Sequence, residues 1–185
     1  MHLFEYVVIA FSLVLSTSVM RLADGIAHAF GARPRYCLYI GQVAVALIGN
    51  IAAFWNYWSF HEAAWTFPRF ALAIAGPVSL YAGTCTLVPR APESIASIER
   101  HSLAVRRRFY LWLAVWAVLI GLTATVLVDL PFDHPARAIE IVTFAAGVIG
   151  ASTDRDRVHV GLVVFLLVFA TVALLTLGAR PAALS

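Results

Sequence analysis

The sequence predicts an all-α protein: a polytopic bundle of six transmembrane helices with both chain ends on the outer side of the membrane. Three observations carry this. Of 185 residues, 62% are hydrophobic and 12% charged, whereas a soluble domain is roughly half apolar and about a quarter charged. The apolar residues fall into six runs, three on each side of one long polar stretch, Pro89 to Arg108. Arginines gather at alternate ends of those runs. A single transmembrane domain, 1–185, is expected, with loops too short for a folded soluble module.

A span needs roughly 20 mostly apolar residues. The first is expected over 3–23, with Arg21, Asp24 and His28 at its far end. Its first twenty residues carry Glu5 and no arginine, so it is expected to stay as a span rather than be removed as a leader. The second covers 36–58, after the turn Gly31 to Arg35. The third, 68–88, begins at Pro68, which suits a first helical turn, and has Pro77 as a kink. The polar stretch 89–108 reads as a cytoplasmic loop. Within it Pro92 and Glu93 would open a short surface helix with Ile95, Ile98 and Val105 as its apolar stripe. Spans four to six are expected over 109–128, 136–152 and 158–179. The fifth is the shortest, and Pro181 follows the last.

Arginine distribution sets the expected orientation. With the N-terminus outside, Arg21, Arg33, Arg35, Arg90, Arg100, Arg106, Arg107, Arg108, Arg155 and Arg157 are cytoplasmic. Arg69, Arg137 and Arg180 are outside. The positive-inside rule favours this arrangement. Phe54, Trp55, Trp58, Trp65, Phe67 and their neighbours then form an outer aromatic belt, and Tyr36, Tyr39, Phe109, Tyr110 and Trp112 an inner one. Small residues recur every fourth position at Ala71, Ala75, Ser79 and Gly83, at Ala117, Gly121 and Thr125, and at Thr143, Gly147 and Ala151. Such stripes let helix backbones approach closely, so spans three to five are expected to pack most tightly. A narrow pore is the functional alternative.

Composition also excludes. Every one of the thirteen basic residues is arginine, so no lysine Schiff base is available. The arginines cap apolar runs instead of forming one basic face, which argues against nucleic acid. Cys37 and Cys85 fall near the expected cytoplasmic face and read as reduced, small apolar fillers. No cofactor is expected. A b-type haem needs paired histidines within the bundle, and only His28 lies near a span.

Arg21, Asp24 and His28 share one helical face and read as an interfacial ion pair with a snorkelling arginine, or as a polar vestibule. Glu140 lies one turn inside span five, where it caps the helix or faces the bundle as a proton or cation site. Asn50, midway along span two, needs a partner in lipid. An outer collection of His2, Glu5, His61, Glu62, Asp129, Asp133 and His134 has metal-ligand residue types without ligand spacing. For an enzyme, His61, Glu62, Asp133 and His134 would have to converge. Arg106, Arg107 and Arg108 are expected at anionic lipid headgroups, or as a docking point for a cytoplasmic partner.

Phe4-Glu5-Tyr6, Arg21-Leu22, Gly25, Trp55-x-x-Trp58 through Trp65-Thr66-Phe67, Arg107-Arg108-Phe109 and the loop Asp154 to His159 resemble a group of small uncharacterised bacterial inner-membrane proteins. The resemblance implies a multi-pass protein of the bacterial cytoplasmic membrane and carries no activity. Three functional classes follow from the residues. The first is a channel or transporter for a small solute or ion, resting on Glu140, Asn50 and the Arg21 face. The second is a non-catalytic subunit or assembly factor of a larger membrane complex, or a homo-oligomer, resting on the packing stripes and belts. The third is a membrane-embedded enzyme with the outer His/Asp/Glu site.

Overall fold

The structure is a computed structural model that describes residues 3–31, 36–89 and 97–176. Among the described residues there are six α-helices and no strand: α1 Leu3–Gly31, α2 Cys37–Asn56, α3 Phe67–Leu87, α4 Ile98–Val128, α5 Arg137–Ser152 and α6 Asp156–Thr176. All but α5 are long and apolar enough to cross a membrane. Arg33, Arg35, Arg90, Arg180, His2, Pro92, Glu93 and Ile95 lie outside the described residues.

Two helices run longer than the hydropathy alone suggests. Nothing breaks α1 before Gly31, so the helix continues past Ala23 through Asp24 and His28. The second half of the polar stretch is no separate surface helix. Ser97 caps α4 by accepting a hydrogen bond from the Arg100 N–H, and the helix then runs unbroken through Arg106, Arg107 and Arg108 into the apolar span. No proline interrupts it, and its only glycine, Gly121, comes far along.

Packing runs in a circuit, α1 to α2 to α6 to α5 to α4 to α3 and back to α1, with α2 also resting on α3. The tightest pairs are α4 with α3 and α4 with α5. Glycines make this approach: a Cβ on Gly147 would come within 2.8 Å of the Ala114 backbone nitrogen, and one on Gly150 would overlap the Tyr110 ring. One buried cluster gathers Val7, Phe11, Ala53, Tyr57, Ala73 and Trp116; a second, towards the other end, gathers Leu22, Tyr39, Val43, Leu87, Phe109 and Tyr110. The outward faces are equally apolar. Val160, Val164, Phe165, Val168 and Val172 of α6 and Leu111, Val115, Val118 and Leu122 of α4 are exposed. A bundle greasy outside and inside is an integral membrane protein whose helices contact lipid.

Proline at position 77 leaves a signature in this core. It lies inside α3 and has no N–H to offer the carbonyl four residues back, Ala73. The buried Tyr57 hydroxyl donates to that carbonyl at 3.0 Å. Gly76 leaves room for it, since a Cβ there would meet the Tyr57 oxygen at 3.4 Å.

Candidate functional site

The four helices α2, α4, α5 and α6 enclose a wedge. At its Arg106 end the wedge is shut. Three residues, Thr153 to Arg155, join α5 to α6 there. Arg106 of α4 holds this turn by donating to Asp154 at 3.1 Å and Asp156 at 2.7 Å. Val163 fills the space that a side chain on Gly41 would need. Below them sits a fully buried polar group: Gln42, Ser102 and His159, with Tyr110 beside them. The Ser102 hydroxyl donates to Gln42 Oε1 at 3.0 Å. The Tyr110 ring lies 5.2 Å from that of His159. Because the Thr153 carbonyl can only accept, His159 Nε2, 3.0 Å away, carries the ring proton. Gln42 Nε2 and the Tyr110 hydroxyl lie side by side without bonding. Turning the Gln42 amide over would let Nε2 donate to Ser102 and Oε1 accept from Tyr110, closing a Ser–Gln–Tyr chain.

One turn further along, polarity disappears. Val45, Ile48, Gly49, Ala52, Leu113, Trp116, Leu166 and Phe169 are among the side chains around an apolar crevice of about 100 Å³. A Cβ on Gly49 would touch nothing within 4 Å. The crevice shares Asn56, Ile120 and Ile139 with an adjoining chamber of about 80 Å³ bounded by Ser59, Ala136 and Glu140.

Arg137 dominates that end. It starts α5, and its side chain is only 7% exposed. Chain geometry brings acceptors to it. Asp129 ends α4 in the left-handed conformation at φ 52°, which reverses the chain. The Leu130 and Pro131 carbonyls then accept from the guanidinium, as do Gly121 O at 3.0 Å and Thr125 Oγ1 at 2.9 Å. Glu140, one turn along α5, pairs with Nη1 at 3.0 Å, and the Phe132 ring covers the cation at 5.2 Å. Glu140 fits there because Gly121 has no side chain; a Cβ would come within 2.9 Å of its carboxylate.

The other residues singled out by sequence distribute as follows. Asn50 is buried and donates to Ala46 O of its own helix, leaving its Oδ1 unpaired. Arg21 forms no ion pair with Asp24 among the described residues. It reaches α3 instead, its Nε donating to Val88 O at 2.9 Å, while Asp24 is exposed and His28 half-buried. The expected ion pair gives way because Val88 ends α3 beside α1 and offers a carbonyl that no helix N–H satisfies. His61 lies 3.3 Å from Glu62, and His134 Nδ1 accepts from Ala136 N–H. Asp133 joins neither contact, and among the described residues no three metal-ligand side chains gather. Arg106 is committed to the α5–α6 turn, so of the three arginines only Arg107 and Arg108 are exposed.

Arg137 and Asn56 are the residues sequence reading missed. Arg137 reads as one more loop arginine, although its spacing to Glu140 is that of an intrahelical pair. Asn56 gives no signal, since its position at the mouth depends on four helices meeting. Compared with known proteins, the chain matches no family model, no curated protein and no solved structure.

Proposed function

We propose that this integral membrane protein handles a lipophilic solute, binding the apolar tail of an amphiphile in the wedge between α2, α4, α5 and α6. This narrows the transport reading and moves it away from ions. The observation that carries it is an apolar crevice, closed at one end and adjoined at the other by a smaller chamber that the polar residues Asn56, Ser59 and Glu140 border. From Gln42 to Asn56 the seam offers an ion almost nothing: the fourteen-residue step from one to the other spans about 21 Å of helix with a mostly apolar lining. A bare ion in such surroundings loses its hydration without replacement. Glu140, the carboxylate best suited to an ion site, is neutralised by Arg137. In this reading the Arg106 end is cytoplasmic, by the arginine bias, in a bacterial inner membrane.

The subunit reading retains one support, the long unpartnered face of α6 from Val160 to Leu175. Lipid covers such a face equally well.

Gly49→Leu separates the cases. It adds bulk to the crevice lining at a position where a Cβ meets nothing within 4 Å. Native mass spectrometry of the protein released from lipid nanodiscs should find a retained amphiphile on the wild type and none on Gly49→Leu, with the helical content of both alike. Equal retention by the two would remove this function.

A further inference from the structure

The chamber at the mouth of the wedge offers a guest no free guanidinium N–H. Arg137 has five N–H groups, and five acceptors take them: Pro131 O, Gly121 O, Thr125 Oγ1, Leu130 O and the Glu140 carboxylate. Its guanidinium therefore has nothing left for a guest, and its charge is already balanced. Glu140 is in the opposite condition. A carboxylate has about four lone-pair sites, yet among the described residues its only donor is Arg137 Nη1. Its side chain remains 16% exposed and lines the chamber. The Asn56 side-chain amide makes no hydrogen bond among the described residues, and it borders both the chamber and the crevice.

We infer that the guest's head is an uncharged hydrogen-bond donor, a primary hydroxyl on a single long apolar tail. This rests on the amphiphile reading above. The hydroxyl donates to Glu140 and its oxygen accepts from the Asn56 amide, while the tail follows Ile48, Gly49 and Trp116 into the crevice. Charge decides against the alternatives. A carboxylate or phosphate head would meet the Glu140 carboxylate with no free guanidinium N–H to receive it. An ammonium head would add an unbalanced positive charge beside Arg137 in a poorly hydrated space, which is costly.

The test is competition in nanodiscs between a long-chain primary alcohol and the fatty acid and primary amine of equal length, read by native mass spectrometry. Wild type should retain the alcohol about tenfold over either competitor, a margin in keeping with one or two hydrogen bonds made or lost at a buried head. Asn56→Leu, which leaves the Arg137–Glu140 pair untouched, and Glu140→Gln should each erase most of that preference. Equal binding of all three chains, abolished by Gly49→Leu, would overturn the head-group assignment and leave the wedge reading standing. Preference for the acid or the amine would overturn the assignment as well. Binding of none, or binding that Gly49→Leu leaves intact, would overturn both.

Discussion

Tyr57→Phe removes one oxygen atom from the core, and its cost should depend on a residue twenty positions away. The Tyr57 hydroxyl is 3.0 Å from the Ala73 carbonyl, the acceptor that Pro77 leaves without its helical N–H. With Pro77 in place, the substitution strands that carbonyl in a buried site. An orphaned buried acceptor costs ~1–3 kcal/mol, against ~0.5–1.5 kcal/mol for the net loss of an ordinary hydrogen bond. Losing the hydroxyl also relieves its own burial, so a value of about 2 kcal/mol is expected. Pro77→Ala returns the N–H to Ala73. In that background Tyr57→Phe strands nothing and should cost under about 1 kcal/mol. The double-mutant cycle should therefore show a coupling of roughly 1 kcal/mol or more. Equilibrium unfolding in mixed detergent–SDS micelles, followed by tryptophan fluorescence, measures all four variants. Equal costs of Tyr57→Phe in the two backgrounds would refute the pairing of hydroxyl and proline.

Three further outcomes follow from the packing. Arg137→Leu leaves the partly buried Glu140 carboxylate and the Leu130 carbonyl without their donor and should destabilise by ~3–5 kcal/mol; a loss below ~1 kcal/mol in the same unfolding assay would contradict the saturated guanidinium. Gly147→Ala drives a methyl group against Ala114 and should cost ~1–3 kcal/mol, while Gly49→Ala meets open space and should be neutral or stabilise by up to ~1 kcal/mol through helix propensity; the reverse ranking would refute the assignment of tight and open seams. Arg106→Ala should cost only ~0–1 kcal/mol, because Asp154 and Asp156 are largely exposed, and that cost should shrink in high salt.

How far the sequence reaches is visible in these residues. Six helices, and α5 as the short one, follow from hydropathy and arginine spacing, because each depends on a local run of side chains meeting lipid. Gly147 is legible as part of a small-residue stripe for the same reason. Helix ends were less legible at the polar stretch, where α4 runs straight through residues 98–108: nothing between Ser97 and the span breaks a helix, and charged residues hide continuity from a hydropathy reading. Tyr57 with Ala73 was not legible, although Pro77 announces an orphan carbonyl somewhere. The donor comes from the short 3-10 turn that follows α2, and its identity depends on how α2 crosses α3. The same holds for Glu140. Its residue type pointed to the site, but its pairing to Arg137 depends on the left-handed turn at Asp129 and on the space above Gly121. The wedge was least legible of all, since a gap between four helices leaves no mark in any one of them.

The central claim is that this gap receives an apolar chain. Photo-crosslinking tests it most directly, with an amphiphile carrying a diazirine midway along its tail and adducts mapped by peptide mass spectrometry. Labelling should concentrate on wedge residues such as Ala52, Trp116 and Ala170, above the outward faces at Val160, Val164 and Val118, and Gly49→Leu should abolish that excess. Labels spread evenly over wedge and outward faces, unchanged by Gly49→Leu, would contradict it.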